Sequence, residues 1–420
     1  MKCDRVGVQC LMFADDLLVF SKATAKSMEG LREVLQTFHQ TTGMVVNPSK
    51  SHAYFSKLDR SSAQFLLDIL QIQFGEFPVT YLGLPLTGNI WSNATKQKLY
   101  GKLLAKLKIW SSRHLSHPAK VQIINTILLS ITSYWSNSII LPKNVYEEIT
   151  KICRNFLWGH QKGERKLVPV SWETLCFNKT AGGVGIRDPG IWGQALLSKH
   201  LWEVQQKQDS LWIRWLHGYY LRGKDFWTCR ANSQSSFLWK SLLEVRDRMG
   251  VSLMQFVREG KFKVARAYEV LQGHQPQFAL CKVVWSKRLL PRECFFLWML
   301  LLGRLSTLDR LEHIGIHTGH TLCYFCAAAP ETVAHSFARC QYAQEVFHYL
   351  CLPQFSSFGP VRRFLYNWSQ KLKSPQFCVL GACLYQMWGE RNRRDFGRGK
   401  MSSFDLSQLI KSEMGLRMKL

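Results

Sequence analysis

The stretch Cys10-Leu-Met-Phe-Ala-Asp-Asp-Leu-Leu-Val-Phe20 sets two adjacent acids, Asp15 and Asp16, between two short apolar runs. This pattern predicts two strands joined by a tight turn. Two interpretations of the acids stay open at this point. Because Asp tolerates the backbone of turns, the pair fits the tip of a hairpin in water. The pair also fits a magnesium site, since this ion prefers oxygen ligands and needs one or two carboxylates when phosphates supply the rest.

Composition points to a polyanionic partner. The chain has 420 residues, enough for two or three domains, and 46% of them are hydrophobic, which supplies a core. Its formal net charge is +26, a value typical of proteins that bind nucleic acid. A basic protein that is merely soluble is the alternative. The 15 Trp, 13 Tyr and 25 Phe suit base stacking, although most are expected in the core.

Cysteine usage and hydrophobic runs indicate an intracellular protein with no membrane partner. The 13 cysteines have no secreted-domain spacing, their number is odd, and no signal peptide is recognisable, which favours a reducing compartment. The best apolar run, residues 294–302, is far shorter than the roughly 20 residues that a membrane span requires.

The segments that follow the acids alternate between helix and strand patterns. An amphipathic helix is predicted over residues 27–41, with Gly43 as its stop signal. A short strand at 52–55 and a helix at 61–70 come next. Residues 77–86 have the pattern of an interrupted strand, since glycine and proline break it near its end.

Three segments occur in the order of the back half of a reverse transcriptase palm: Phe13-Ala14-Asp15-Asp16, then Gly43, Asn47 and Lys50-Ser51, then Tyr81-Leu82-Gly83-Leu84-Pro85-Leu86. The residues of these segments resemble those of the non-LTR, or LINE-type, retrotransposon enzymes of plants. The ordered set of three segments is more specific than the acid pair alone. The resemblance implies a partial palm over residues 1–90. It makes Asp15 and Asp16 catalytic carboxylates that bind magnesium. It makes Tyr81, Leu82 and Gly83 part of the hairpin that places the primer end.

Residues 91–160 are basic and helical in pattern. Lysines alternate with aliphatic residues along the first helix of this region: Lys96, Lys98, Lys102, Lys106 and Lys108. Taken singly, each lysine fits a solvated helix face. As a set that follows a palm, they resemble the thumb of such enzymes, which grips the duplex backbone. Family members usually carry Ala-Gly-Arg where this chain has Pro118-Ala119-Lys120, so the match is weaker there.

Residues 161–262 form a connector in this scheme and carry no catalytic constellation. Its glycine-rich segment, Gly182-Gly-Val-Gly-Ile-Arg187, does not follow a strand, and no phosphate-loop lysine comes after it. We therefore expect a loop rather than a nucleotide cradle.

The strongest single motif is Cys-x2-Cys-x8-His-x4-Cys, formed by Cys323, Cys326, His335 and Cys340. Three thiolates and one imidazole fill the four positions of a tetrahedron and leave none for water, so the spacing predicts a structural zinc site. Three buried thiols and a core histidine are the alternative interpretation. The segment 263–350 resembles the zinc-binding domain that follows reverse transcriptases of the plant LINE type.

Residues 351–420 are expected to be a helical, basic C-terminal tail. Trp388-Gly-Glu390-Arg391-Asn392-Arg393 resembles the closing motif of the zinc-binding domain. The basic run 391–400 has three interpretations: a solvated tail, a phosphate contact or a nuclear import signal. A solvated tail is favoured.

The sequence therefore predicts an α+β, mostly helical protein with a partial palm, a helical thumb-like region, a connector and a small zinc module. The function expected from the resemblance is that of a truncated LINE-type reverse transcriptase that binds RNA or DNA. We expect no polymerisation by this chain alone, because a two-metal site needs a carboxylate from a separate strand and the only acid before Asp15 is Asp4. A non-catalytic RNA- or DNA-binding zinc protein and a decayed element product without function are the alternatives.

Overall fold

The computed structural model of the chain describes residues 2–3, 6–7, 9–56, 58–86, 91–111, 115–159, 168–359, 362–363 and 375–418. These residues belong to two compact units. The first consists of Met1–Lys102, Tyr134–Val145 and Gly193–Leu271, and the second of Leu103–Ser133, Tyr146–Trp192 and Gln272–Leu420. Each unit contains segments from several of the five domains predicted from the sequence. The predicted domain boundaries therefore stay predictions.

The described strands form separate two-stranded sheets. They are β1 (Lys2–Cys3), β2 (Val6–Gly7), β3 (Cys10–Phe13), β4 (Asp16–Val19), β5 (His52–Ala53), β6 (Gln73–Phe74), β7 (Val79–Tyr81) and β8 (Leu84–Leu86). The pairs β1–β2, β3–β4 and β7–β8 are antiparallel, and β5–β6 is parallel. Among the described residues no larger sheet forms, so the predicted palm stays a proposal.

The chain is mostly helical, as the sequence predicts. The helices of the first half are α1 (Ala25–Thr42), α2 (Arg60–Leu70), α3 (Asn93–Ser111), α4 (His117–Ile123), α5 (Leu129–Ser138), α6 (Lys143–Trp158), α7 (Trp172–Cys176) and α8 (Pro189–Gln205). Those of the second half are α9 (Leu211–Leu216), α10 (Phe237–Glu259), α11 (Val264–Gln272), α12 (Cys281–Val284), α13 (Pro291–Leu301), α14 (Leu308–His313), α15 (Gln341–Tyr349), α16 (Pro375–Asp395) and α17 (Ser403–Met418). Wider π turns occupy Ile124–Leu128, His217–Leu221 and His335–Arg339.

Both hairpins predicted from the sequence are present. In the first, Phe13 faces Asp16, which leaves Ala14 and Asp15 as the two-residue turn. In the second, Leu82 and Gly83 connect the strands, and both have positive φ angles, 48° and 77°. Positive φ at both central residues is the geometry that lets a two-residue turn follow the twist of its strands. These turns fix the positions of the acids and of the primer-grip-like residues.

Local capping and burial explain the helices at the start of the first unit. Helix α1 begins after Thr24, whose hydroxyl accepts the Ser27 N–H, and ends at Gly43 in the left-handed conformation. Helix α2 begins after Asp59, whose carboxylate accepts the Ser62 N–H at 2.9 Å. The two helices pack together, and Met28 is among the buried side chains at this end of the unit.

The core of the second unit is built around helix α13. Every side chain from Glu293 to Leu300 is buried, and those after Glu293 are apolar on all sides of the helix, as expected in the middle of a core. Its neighbours in this unit are α4, α12 and α16. The Trp298 indole donates to the Gly182 carbonyl at 2.7 Å, which satisfies its polar atom. Among the described residues, no helix has the length and apolar character needed to cross a bilayer.

The glycine-rich segment is a loop, as predicted, and it packs tightly against the end of α7. The Val184 N–H donates to the Leu175 carbonyl at 3.3 Å, and the Gly185 N–H donates to the Phe177 carbonyl at 3.1 Å. A Cβ atom at Gly183 would lie only 2.0 Å from the Phe177 carbonyl oxygen. Glycine is needed at this position because two backbone segments come into contact.

We expect Gly183→Ala to lower the free energy of unfolding by about 1–3 kcal/mol, the usual cost of forcing atoms into a filled site. Urea denaturation followed by circular dichroism measures the change. Gly101→Ala is the matched control, because nothing lies within 4 Å of an added Cβ in this helix and the change should stabilise by roughly 0.5–1 kcal/mol. Equal stability of the two variants would contradict the tight backbone approach.

Candidate metal centre and nucleic-acid interface

The first two candidate ligands lie on a tight knuckle. The chain folds back on itself because the Cys323 N–H donates to the Ala329 carbonyl and the Glu331 N–H donates to the Thr321 carbonyl, each at 2.8 Å. Within this loop the Ala327 N–H donates to the Cys323 carbonyl, and Ala327 has a φ of 53°. The turn thereby brings the sulfurs of Cys323 and Cys326 to one side.

A π turn presents the other two ligands. His335 and Cys340 are five residues apart, and on an α-helix at about 100° per residue they would diverge by roughly 140°. Instead, the Cys340 N–H donates to the His335 carbonyl at 2.8 Å, the i→i+5 bond of a π turn. The wider turn returns residue 340 to the side of residue 335. The sequence shows the spacing of these two ligands, and the structure shows the turn that aligns them.

The four ligand atoms converge. The sulfurs of Cys323, Cys326 and Cys340 and a ring nitrogen of His335 all lie within 4.8 Å of one another. Cys326 Sγ and His335 Nε2 lie 3.2 Å apart. Zinc bonds of about 2.0–2.3 Å place tetrahedral ligands about 3.5–4 Å apart, so the atoms need to close by no more than about 1 Å. A Cys₃His set of this kind fits a structural zinc ion.

The electrostatics of the cluster favour a thiolate. A hydrogen bond from Cys340, with backbone N–H groups of Cys326 and Phe325, lowers the pKa of Cys323. The same contact raises the pKa of Cys340, because that thiol donates the shared proton. Cys323 and Cys340 are also almost completely buried. Thiolate is the form that binds metal, and metal binding would displace the remaining protons.

A buried ion pair supports the knuckle from helix α16. Arg391 donates to both oxygens of Glu331 at 2.8 Å, and both side chains are buried. Glu331 Oε2 also accepts the Leu308 N–H at 2.8 Å, so its charge is met by three hydrogen bonds. A bidentate pair of this geometry is among the stronger charge interactions.

Arg394 touches the knuckle directly. Its Nη1 donates to the carbonyls of Tyr324 and Phe325 at 3.2 and 3.0 Å, and its Nε donates to the buried Glu390 at 2.8 Å. The guanidinium carbon also lies 4.6 Å from the centre of the Tyr342 ring, within cation–π range. Arg394 therefore fixes the backbone between Cys323 and Cys326.

The favoured interpretation of the run 391–400 as a solvated tail is wrong for its first residues. Arg391 and Arg394 are buried because acids of their own unit pair with them. The pairs Glu390–Arg394 and Arg391–Asp395 have i,i+4 helical spacing, which is the sequence signal that could have revealed an ordered helix. Helices α16 and α17 pack together and against α13 and α15 respectively, as ordered elements.

We expect Arg391→Ala to destabilise the protein by about 3–5 kcal/mol, because it leaves the Glu331 carboxylate buried without its partner. Thermal unfolding of the zinc-loaded protein measures the loss. Arg398→Ala is the control, since Arg398 is exposed and its removal should change stability by less than about 0.5 kcal/mol. A double replacement, Glu331→Gln with Arg391→Met, should recover part of the loss; no recovery would argue against the ion pair as its cause.

Asp15 and Asp16 lie side by side at the exposed tip of the first hairpin. Among the described residues no third carboxylate joins them in a cluster of potential metal ligands. Asp4, the acid considered from sequence, lies outside the described residues. The catalytic and magnesium-binding roles of the pair therefore stay predictions.

The second hairpin and helix α3 come together within the first unit. The Lys98 ammonium donates to the Thr80 hydroxyl at 3.1 Å, and the Lys102 ammonium lies 3.5 Å from the Gly83 carbonyl oxygen. The Tyr134 hydroxyl donates to the Leu82 carbonyl. Two of the predicted thumb lysines thus lie at the turn that carries Tyr81, Leu82 and Gly83.

The remaining predicted thumb lysines differ in their exposure along α3. Thr95, Leu99, Leu103 and Leu107 are buried at four-residue intervals, so they mark the inner face of this helix. Lys96 is half-buried, whereas Lys106 and Lys108 are exposed. The exposed side chains of Lys106 and Lys108 are accessible to phosphate groups.

Comparisons with known proteins agree with the metal centre. Residues 262–347 match the family model described as zinc-binding in reverse transcriptase. An Arabidopsis thaliana protein named "Putative ribonuclease H protein" is 28% identical over 150 residues, which cover 34% of this chain and 24% of that protein. A second Arabidopsis protein, named "Uncharacterized mitochondrial protein", is 26% identical over 133 residues, which cover 31% of this chain and 86% of that protein.

The chain thus spans about a quarter of the first relative. The resemblance predicted from sequence, to a plant retrotransposon reverse transcriptase with its zinc-binding domain, is therefore confirmed at the matched segment, which contains all four candidate ligands.

Proposed function

We propose that the chain works as part of a non-LTR, LINE-type reverse transcriptase. In this proposal it binds RNA or DNA, and its zinc module has a structural role. The observation that carries the proposal is the convergent Cys₃His cluster inside the segment that matches the reverse transcriptase zinc-binding family. The net charge of +26 supports the same partner class, since phosphate neutralisation supplies much of the affinity for nucleic acid.

Nucleic acid is held, in this proposal, at the second hairpin and the lysines beside it. An ammonium group has three donors. Lys98 uses one of them at Thr80, and Lys102 points one at Gly83, so each exposed group keeps donors for phosphate oxygens. These contacts hold the two lysines next to Tyr81 and Leu82, which is the arrangement that a primer-positioning hairpin needs.

Zinc would be held by Cys323, Cys326, His335 and Cys340. With four protein ligands the ion would supply folding energy rather than chemistry. The chain's own part is to orient these ligands, which the π turn and the Arg394 contacts accomplish.

Asp15 and Asp16 are the proposed magnesium-binding carboxylates of a polymerase site. Magnesium would be held there by the carboxylates together with substrate phosphates. A two-metal site also requires a carboxylate from another strand, because one turn cannot surround two ions about 4 Å apart.

We expect binding to single- and double-stranded nucleic acid that weakens steeply as salt rises, because bound phosphates release counterions. Filter binding at two salt concentrations tests this. Lys98→Ala with Lys102→Ala should make the dependence of log affinity on log salt shallower by about 2 for duplex DNA. Lys151→Ala with Lys261→Ala removes the same charge elsewhere and should change the slope less. A folded protein that binds nothing at low salt would refute the proposed function.

We expect the purified protein to retain about one zinc per chain after dialysis, and Cys323→Ser to lose it and melt at lower temperature. Metal analysis and thermal unfolding are the measurements. Cys351→Ser is the matched control, because this exposed cysteine lies outside the ligand set and its loss should leave the zinc content unchanged. Full zinc retention by Cys323→Ser would show that the ligand assignment is wrong.

We expect no extension of a primer on an RNA template by this chain alone with magnesium, because the hairpin supplies only two carboxylates. A primer-extension assay is the test. Extension that disappears in an Asp15→Ala, Asp16→Ala double variant would overturn this prediction and require a further carboxylate.

A further inference from the structure

A stacked aromatic pair with one exposed member lies in the region to which the sequence assigns no role. The rings of Trp215 and Tyr219 are parallel, 7° apart, with centres separated by 5.3 Å. Tyr219 is 48% exposed, although it is backed by the tryptophan. The two residues are one helical turn apart, which is the spacing that lets side chains stack along a helix surface. Tyr219 thus packs its ring against the tryptophan, and about half of the residue stays accessible to solvent.

The neighbouring tyrosine anchors this surface to the interior of the first unit. Tyr220 meets Tyr219 edge-on at 4.9 Å and stacks on Trp239 at 4.7 Å. Its hydroxyl donates to Ser236 Oγ at 2.7 Å, and Trp239 is buried. The two adjacent tyrosines therefore differ in role. Tyr220 packs against the interior of the unit, and Tyr219 is exposed to solvent.

The π turn His217–Leu221 sets an arginine beside the displayed ring. The Arg222 N–H closes the turn on the His217 carbonyl at 2.8 Å, and Arg222 itself has the left-handed angles φ 46° and ψ 43°. Its Nε donates to the Tyr219 carbonyl at 3.1 Å, and its guanidinium carbon lies 5.9 Å from the centre of the Tyr219 ring. This distance is at the outer limit of a cation–π contact, so the guanidinium is near the ring without being packed tightly on it.

The charge around the ring is positive. Arg222 and Lys224 are exposed, and among the residues described no acid forms an ion pair with either of them. The nearby Asp225 carboxylate accepts the backbone N–H groups of Trp227 and Thr228, each at 3.0 Å. Flat aromatic and guanidinium groups beside free cations are the combination that holds unpaired bases and their phosphates.

We propose that Trp215, Tyr219 and Arg222 form a stacking platform for an unpaired base of single-stranded RNA or DNA, with Lys224 at the adjoining phosphates. The proposal rests on nucleic-acid binding as the function of the chain and adds a site and a strand preference to it. Bases of a duplex are already stacked on each other, so the platform contributes to single strands only.

Fluorescence anisotropy with labelled oligo-uridine, oligo-thymidine and a duplex of matched length tests the platform. Tyr219→Ala should weaken binding of the single strands by roughly 5- to 150-fold and leave duplex binding unchanged. Tyr219→Phe keeps the ring and should bind like the parent chain. Phe65→Ala is the matched control, because Phe65 is an exposed aromatic, 61% accessible, in the same unit, and its loss should change neither affinity.

A crosslink on the unmodified protein tests the site without any substitution. Irradiated oligonucleotides that carry 5-iodouracil should attach to the tryptic peptide Trp215–Arg222, at Tyr219. Failure of the parent chain to bind any oligonucleotide would refute the proposed function and this inference together. Binding by the parent chain with equal single-strand affinity for Tyr219→Ala, equal losses for single strands and duplex, or crosslinks confined to other peptides would refute the platform alone.

Discussion

The Glu331–Arg391 ion pair is the interaction on which the metal centre depends. It joins residues that are 60 positions apart, with both side chains buried and two hydrogen bonds of 2.8 Å between them. Breaking such a pair leaves an uncompensated charge inside the protein, so replacement of either residue alone destabilises the second unit. Arg394, on the same helix, donates hydrogen bonds to the Tyr324 and Phe325 carbonyls of the knuckle. The ligand cluster and helix α16 are therefore one structural element, although the family match ends at residue 347.

The basic side chains of the chain include two kinds: those that pair with buried acids and those that are exposed to solvent. Arg391, Arg394 and Arg417 pair with the buried acids Glu331, Glu390 and Glu293, so they stabilise the second unit. By contrast, Lys98, Lys102, Arg222 and Lys224 are exposed. A net charge of +26 indicates nucleic acid as a partner, but only the second kind of residue is free to contact it.

What the sequence predicts correctly is local. The first hairpin, helix α1 and the convergence of Cys323, Cys326, His335 and Cys340 follow from patterns within a few residues of each other. The sequence does not predict the π turn at His335 or the partners of Arg391, because these depend on packing against distant parts of the chain. The sequence does not predict the proposed Tyr219 platform for the same reason, because residue type alone does not distinguish an exposed ring from a buried one such as Trp239.

The first hairpin shows how stability and chemistry are linked at the proposed polymerase site. Met12 and Phe13 are 74% and 61% exposed, and a two-stranded hairpin alone is marginally stable in water. A further strand beside β3 or β4 would pair the free backbone groups of that edge and cover these side chains in part. It would also stand where a two-metal site needs its additional carboxylate. One structural event, pairing of a third strand, would therefore both stabilise the hairpin and supply the further carboxylate that the predicted role of Asp15 and Asp16 requires.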